Sequence, residues 1–303
     1  MAKQPQFIRL ESFTWNSPEE YLIKKSIRNL GSPFPEFVDD AKKLLKKSGK
    51  KCLPYIIEAI ENDDLEPDTI TDILPEVLVL FKKDAVSFLI PYLDDANEDW
   101  AYAAKSTIEE IGKPAVPILC SAVDTSNLII MGKIIDILGT IGDKNAIPTL
   151  IKCLSHPEES IRDDATWSLK EIGSPCYNQV LPLLSSDDIQ LVCAAIQILP
   201  AVDTKKGVPA VIPLFSHPDD EVYDLVFDSL LYLDPRPVDE LVLHLKSDNV
   251  QELIGILNVL ANCKDVSAIE KISPLKQHPD TDVSETAEWA IGLILKSQNG
   301  ETG

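Results

Sequence analysis

The chain has 303 residues, 45% of them apolar and 6% aromatic, and its formal net charge is −21. Residues 1–60 carry a balance of +4 and residues 61–303 carry −25, so most of the surface would repel phosphate backbones, which argues against nucleic-acid binding. No stretch is long and apolar enough to span a membrane, and the first residues lack the apolar segment of a secretory signal, so we expect a cytoplasmic protein without membrane contact.

The N-terminal region, residues 1–34, is predicted to form an arm and a capping helix. Ser17 and Glu20 fit the Ser-x-x-Glu capping box that starts a helix. A basic patch follows, which is interpreted as a solvated helix face; contact with an anionic surface or with the acidic body of a second copy is the alternative. Its members are Lys42, Lys43, Lys46, Lys47, Lys50 and Lys51.

From about residue 35 onward a unit of about 30 residues recurs. Four residues before each unit end stands a large aliphatic residue, and eight residues before it stands a mostly small one, with Ile134 as the bulky exception. Positions four residues apart lie on the same face of a helix. The two columns therefore predict that the first helix of each unit has an apolar face that packs against a neighbouring helix. The aligned unit ends are Gly112, Gly142, Gly173, Asp203, Asp234 and Cys263.

The pattern predicts pairs of helices joined by short turns, in one domain over residues 35–296, and a disordered tail over 297–303. Predicted first helices cover 35–48, 68–81, 98–111, 127–141, 159–172, 188–201, 219–232, 248–262 and 281–296. Predicted second helices cover 51–61, 84–93, 114–123, 145–154, 176–185, 207–215, 236–245 and 266–276.

Residues 143–173 carry Ala-Ile-Pro-x-Leu, a polar loop, and then Ile-Arg-x-x-Ala-x-x-x-Leu-x-x-Ile-Gly. This run resembles the short HEAT-like repeats first associated with phycobilisome lyases. The resemblance implies an all-α fold, an α-solenoid forming a right-handed superhelix of about eight helix pairs, with an N-terminal cap helix and a closing C-terminal helix. It is specific for fold and weak for function, because the pattern consists of packing and capping positions.

In HEAT arrays the second helices line the concave side, so residues on their free face are candidates for partner binding. Tyr55, Phe88 and Tyr92, beside Glu58, would form an aromatic and acidic hot spot at the start of the groove. The alternative is that these aromatics seal the first repeats against the cap. Further along, the predicted groove-facing residues are Lys152, Gln179 and Glu240.

Trp167 and Trp289 occupy the same column, six residues before a repeat end. The other members of that column are chemically mixed, which is typical of a partly exposed position. One or both tryptophans would then form a contact site on the convex face. Filling a gap between repeats is the equally weighted alternative.

No catalytic, cofactor or metal site is predicted. His156, His217 and His278 recur two repeats apart, too far to share one ion, and each is followed by Pro in a helix-starting loop. The cysteines show no metal-binding spacing and are expected to be free packing residues: Cys52, Cys120, Cys153, Cys176, Cys193 and Cys263.

The sequence therefore predicts a non-catalytic scaffold that holds a protein or peptide with a basic surface in an acidic concave groove. The alternative is a bilin lyase or chromophore-handling subunit, which only the repeat subtype suggests.

Overall fold

A computed structural model describes residues 17–62, 64–66 and 68–298, and the regular elements within these residues are all helical. The all-α repeat architecture predicted from the sequence is thus confirmed. The predicted arm, residues 1–16, and residues 299–303 of the predicted tail lie outside the described residues. Residues 297 and 298, predicted to be disordered, instead complete the last helix. None of the described helices combines the length and hydropathy that crossing a bilayer requires.

In chain order the α-helices are α1 (Pro18–Asn29), α2 (Pro35–Ser48), α3 (Leu53–Glu61), α4 (Leu74–Val79), α5 (Lys83–Leu89), α6 (Glu98–Ile111), α7 (Val116–Ala122), α8 (Leu128–Ile141), α9 (Ile147–Cys153), α10 (Glu159–Ile172), α11 (Tyr177–Val180), α12 (Ile189–Val202), α13 (Thr204–Val211), α14 (Asp220–Leu231), α15 (Val238–Leu243), α16 (Val250–Cys263), α17 (Ile269–Ile272) and α18 (Thr281–Gln298).

Most first helices start and end within two residues of the predicted bounds. Ser17 caps α1 by accepting a hydrogen bond from the backbone N–H of Glu20 at 3.2 Å, which confirms the cap. Asn127 caps α8 in the same way, accepting from two backbone N–H groups. At the other end of α8, Gly142 takes a positive φ of 67°, the left-handed conformation in which glycine is favoured as a helix stop.

The second helices are less regular than predicted. The predicted helix 176–185 is divided into a 3-10 turn (Ser174–Cys176), α11 and a 3-10 segment (Leu181–Ser185). Pro182 opens that last segment, and a proline there cannot donate the backbone hydrogen bond that would continue an α-helix. The predicted first helix 68–81 is corrected as well, because a π-helical turn (Thr69–Ile73) precedes α4.

The chain divides between Ile118 and Leu119 into two compact units. In the first unit, α1 packs on α2 and α3, and α6 packs on α4 and α5. The core of this unit includes Leu45, Ile56 and Trp100, all nearly inaccessible to solvent.

In the second unit each first helix packs on the next, in the order α8, α10, α12, α14, α16 and α18. The large aliphatic column predicted from the repeat is fully buried there, and this burial confirms the register. Its members in this unit are Leu138, Leu169, Leu199, Leu230 and Val259.

Candidate functional site

The residues predicted to face a groove on the second helices are accessible to solvent. Glu58, Lys152 and Gln179 are exposed, and Tyr55, Phe88, Tyr92 and Glu240 are half-buried. Accessibility alone does not separate a binding surface from an ordinary solvated face, so the contacts of these side chains decide what each of them can do.

Tyr55 and Glu58 are already engaged by the N-terminal helix of the chain. The ammonium group of Lys24, on α1, lies 5.4 Å from the centroid of the Tyr55 ring and 2.8 Å from a Glu58 carboxylate oxygen. The hydrogen bond to Glu58 is the main cause that raises the pKa of Lys24 above its usual value. Tyr55 and Glu58 thus contact the N-terminal cap helix, as expected if these residues seal the first repeats against the cap.

Phe88 and Tyr92 belong to a separate aromatic stack. Their ring centroids lie 6.3 Å apart, and the ring of Tyr92 contacts the buried Trp100 edge-on at 5.4 Å. Burial raises the pKa of Tyr92, and the nearby carboxylates of Glu61 and Asp95 raise it further. Tyr55 and Glu58 thus contact α1, whereas Phe88 and Tyr92 pack beside a core tryptophan, and partner binding by these four residues stays a prediction.

The distribution of charge in the second unit corrects the prediction of an acidic groove on the second helices. On the described helices α9, α11, α13, α15 and α17, four Lys stand against three Asp and Glu. The helices α8, α10, α12, α14, α16 and α18 carry thirteen Asp and Glu against four Lys and Arg. The acidic surface, which we call the first-helix face, is formed by these six helices.

Trp167 projects from this first-helix face. It stands on α10 with 61% of its surface exposed, and it lines two pockets, one on each side. A large aromatic side chain that remains exposed beside concave surfaces is the feature most often associated with partner binding.

The first pocket, of about 390 Å³, lies between α8 and α10, and we call it the Trp167–Asp164 pocket. One wall is apolar and includes Leu128 and Ile129 at the start of α8. Gly132 and several polar residues complete the lining: Lys133, Asp136, Ser160, Asp164 and Ser168. Burial raises the pKa of Asp164, and repulsion from Asp136 and Asp163 raises it further, whereas Lys133 opposes the shift.

The second pocket, of about 650 Å³, lies between α10, α12 and α14, and we call it the Trp167–Tyr232 pocket. Tyr232 and Leu225 supply apolar surface, and Asp228 and Asp234 supply carboxylates. Burial lowers the pKa of Lys170, which also lines this pocket.

Trp289, the other tryptophan of the column, is 51% exposed on α18. It borders a different and shallower recess, together with Asn258, Glu285 and Thr286. The two tryptophans are thus both exposed, but they line separate pockets.

Two glycines allow α8 and α10 to approach closely at the Trp167–Asp164 pocket. A Cβ atom at Gly132 would lie 2.7 Å from a carboxylate oxygen of Asp164, and one at Gly139 would lie 2.8 Å from the Cα of Ser168. The Ser168 hydroxyl donates a hydrogen bond of 2.9 Å to the carbonyl oxygen of Ile135 across the same seam. Sequence reasoning missed this pocket, although glycines seven residues apart on one helix were a signal of close packing.

The repeated histidines have a structural role in their loops. In His156 and His217 the Nδ1 atom accepts a hydrogen bond from the backbone N–H two residues later, at 3.1 and 3.2 Å. His278 does the same with Asp280. These contacts confirm the loop motif predicted from the His-Pro pattern.

The cysteines in the described residues are free thiols. Burial raises the pKa of Cys52, Cys153 and Cys176 to about 11, as expected for packing residues. No cluster of His, Cys, Asp and Glu suited to a metal ion occurs among the described residues.

Residues 129–185 match the family model of HEAT repeats. The uncharacterized phycocyanin operon protein Y of Pseudanabaena tenuis (strain PCC 7409) is 25% identical over 206 residues, which cover 62% of this chain and 49% of that protein. The chain thus spans about half the length of the curated relative it matches.

Three solved structures that align with this chain share little sequence with it. The complex of CpcE and CpcF of phycocyanin lyase from Nostoc sp. PCC7120 matches with a TM-score of 0.35 at 19% identity, over 69% of this chain and 94% of that chain. Kap121p matches with a TM-score of 0.41 at 15% identity, over 91% and 38%. Importin beta matches with a TM-score of 0.37 at 10% identity, over 92% and 51%.

Proposed function

We propose that this chain, whose residues 129–185 match the family model of HEAT repeats, is a non-catalytic scaffold that binds a basic protein partner through the first-helix face of its second unit. Stacked helix pairs bury their apolar stripes against their neighbours and leave long faces free for partners. The choice among those faces rests on exposed aromatic surface, concavity and charge.

The observation that carries the proposal is the position of Trp167. Its indole ring is exposed between two pockets, and both pockets contain carboxylates. Interfaces concentrate their binding energy in a few aromatic and arginine residues seated in such surroundings. The charge excess on the same helices would speed the approach of a basic partner and would exclude acidic ones.

The second helices are weaker candidates. In the first unit, Lys24 lies over the ring of Tyr55 and forms an ion pair with Glu58. Both residues therefore already make contacts within the chain. In the second unit, the charges on the second helices nearly balance. The exposed Gln179 and Lys152 remain accessible there, without an aromatic anchor of the kind that Trp167 provides.

Pull-down from the native host with Trp167→Ala tests the proposal. We expect wild-type protein to retain a basic protein that elutes as salt is raised, and Trp167→Ala to retain at least tenfold less of it, since hot-spot truncations cost about 2 kcal/mol or more. Tyr102→Ala is the matched control, because Tyr102 is also a highly exposed aromatic residue, at 70% against 61% for Trp167, and lies in the first unit. Equal retention by the Trp167→Ala variant and by wild type would refute the proposal.

A chromophore-handling role is the second candidate, and its support is the likeness to a phycocyanin operon protein. The volume of the Trp167–Tyr232 pocket, about 650 Å³, falls in the range of small-molecule sites. Absorbance spectra of the purified protein with a free bilin test this role. A spectral change that Tyr232→Ala abolishes would favour it, and an unchanged spectrum together with no transfer to a phycobiliprotein would reject it.

A further inference from the structure

Building on the proposed function, we propose that the Trp167–Asp164 pocket receives one arginine side chain of the partner. An arginine side chain has an aliphatic stem, a flat cationic head and five N–H donors arranged as a fork. The walls of the pocket match these three parts in turn.

The apolar wall matches the stem of the arginine. Leu128 and Ile129, at the first turn of α8, are 41% and 57% exposed, and they line the pocket together with the carboxylates. Long basic side chains favour surroundings in which their methylene groups lie on apolar surface while the charged head reaches a polar end. An acidic surface alone, without this wall, would not select for a long side chain.

The indole ring of Trp167 matches the flat head. Guanidinium groups stack on aromatic faces, and tryptophan is the strongest partner for such cation–π contacts. In the first unit, Lys24 over the ring of Tyr55 beside Glu58 shows the same pairing of cation, aromatic ring and carboxylate within this chain.

The carboxylates match the charge. Burial disfavours the ionised form of Asp164, repulsion from Asp136 and Asp163 disfavours it further, and among the residues that line the pocket only Lys133 is basic. Lys133 forms no ion pair with Asp164 within 4 Å in the described residues. An incoming cation would relieve this repulsion, and the carboxylate of Asp164 lies close to the backbone of Gly132 on the neighbouring helix.

Arginine is favoured over lysine because two contacts are available at once. A guanidinium can stack on the indole ring and donate two parallel hydrogen bonds to a carboxylate, whereas an ammonium group acts as a point charge. The proposal therefore distinguishes between two side chains of equal charge, which a purely electrostatic surface would not do.

The test uses the full-length protein and three blocked peptides, acetyl-(Gly-Arg)₃-amide and its lysine and citrulline counterparts. The side-chain indole N–H signals of the four tryptophans are followed by ¹H–¹⁵N NMR and assigned with Trp→Phe variants. We expect the arginine peptide to shift the Trp167 signal at concentrations at least threefold lower than the lysine peptide, and the citrulline peptide to leave it unmoved.

The variant Asp164→Asn should weaken the arginine peptide about tenfold, because hydrogen bonds to charged groups contribute about 1.5–3 kcal/mol. Asp224→Asn is the matched control: it makes the same charge change on the same face, at an exposed position of α14 that lines neither Trp167 pocket, and should change the affinity less than twofold. Equal affinity for arginine and lysine peptides on the wild-type protein, or an equal effect of the two variants, would overturn the proposal.

These outcomes are separate from the test of the proposed function. If Trp167→Ala abolishes partner capture while the peptides show no arginine preference, the first-helix face binds its partner without an arginine in this pocket. If Trp167→Ala leaves capture intact, the proposed function fails whatever the peptides show.

Discussion

Asp164 and Gly132 face each other across the α8–α10 seam, so closely that a Cβ atom at position 132 would lie 2.7 Å from the Oδ2 atom of Asp164. Seven residues further along α8, a Cβ atom at Gly139 would lie 2.8 Å from the Cα atom of Ser168. A methyl group at position 132 would meet the end of the Asp164 side chain, which can rotate away. A methyl group at position 139 would meet the backbone of Ser168, which cannot move without shifting α10. This difference makes the two glycines a matched pair for experiment.

We expect Gly132→Ala to weaken binding of the arginine peptide by severalfold and to leave stability nearly unchanged. The new methyl group would displace the Asp164 carboxylate from the Trp167–Asp164 pocket, which weakens binding. The free energy of unfolding changes little, because the gain of about 1 kcal/mol in helix propensity from glycine to alanine offsets the cost of moving the carboxylate. Urea unfolding and the peptide titration measure the two effects. A variant that binds the peptide as wild type does would show that the placement of Asp164 is irrelevant to binding.

We expect Gly139→Ala to lower the free energy of unfolding by about 1–3 kcal/mol, the usual cost of overpacking a tight interface. Helix α10 would have to move away from α8, and the hydrogen bond from Ser168 to the carbonyl of Ile135 would lengthen. Urea unfolding of the two glycine variants side by side checks this expectation. Equal stability of both variants would contradict the close approach described for Ser168.

Removing the Lys24 ammonium group should lower the free energy of unfolding by a small amount that depends on pH. Lys24→Met is expected to lower stability by less than about 1 kcal/mol, because the partner carboxylate of Glu58 is 51% exposed and therefore well screened. The pKa of Lys24 is raised above 10.5 in the folded chain, so this contribution is fully present below pH 10.5 and disappears as the pH rises through the folded-state value. Lys25→Met, on the same helix, is the control, and thermal unfolding between pH 7 and 11 is the measurement.

The buried thiols should react slowly. With a pKa of about 11, Cys52 and Cys176 are ionised to only about one part in a thousand at pH 8, and burial also blocks access to reagents. We expect iodoacetamide to leave both cysteines unmodified for hours in native protein at pH 8 and to modify all six cysteines in urea. Peptide mass spectrometry measures the labelling, and rapid native labelling of either residue would contradict their burial.

The first helices were predictable because their periodicity is local. Helix α10 (Glu159–Ile172) has the predicted bounds, since its apolar column, its preceding polar loop and its final Gly173 all lie within one repeat. The second helices were predicted less well, because prolines such as Pro182 turn one expected helix into short α and 3-10 pieces.

The candidate site was predictable only in part. The column containing Trp167 was predicted to be partly exposed because its members are chemically mixed, and its two tryptophans are exposed while Leu257 is buried. The Trp167–Asp164 pocket could not be predicted, since it depends on Ile129 and Gly132 of one repeat meeting Asp164 of the next. In the second unit the acidic charge lies on the first helices and not on the second helices, which was not predicted because the net balance was summed along the chain and was not divided between its faces.

Site-specific photocrosslinking in the native host tests the choice of binding face most directly. A benzoylphenylalanine placed at position 167, on the first-helix face, is compared with one at position 179, the site of the exposed Gln179 on a second helix. The account predicts that the probe at position 167 captures a protein rich in Lys and Arg and that the probe at position 179 does not. Capture of that protein from position 179 alone would contradict it.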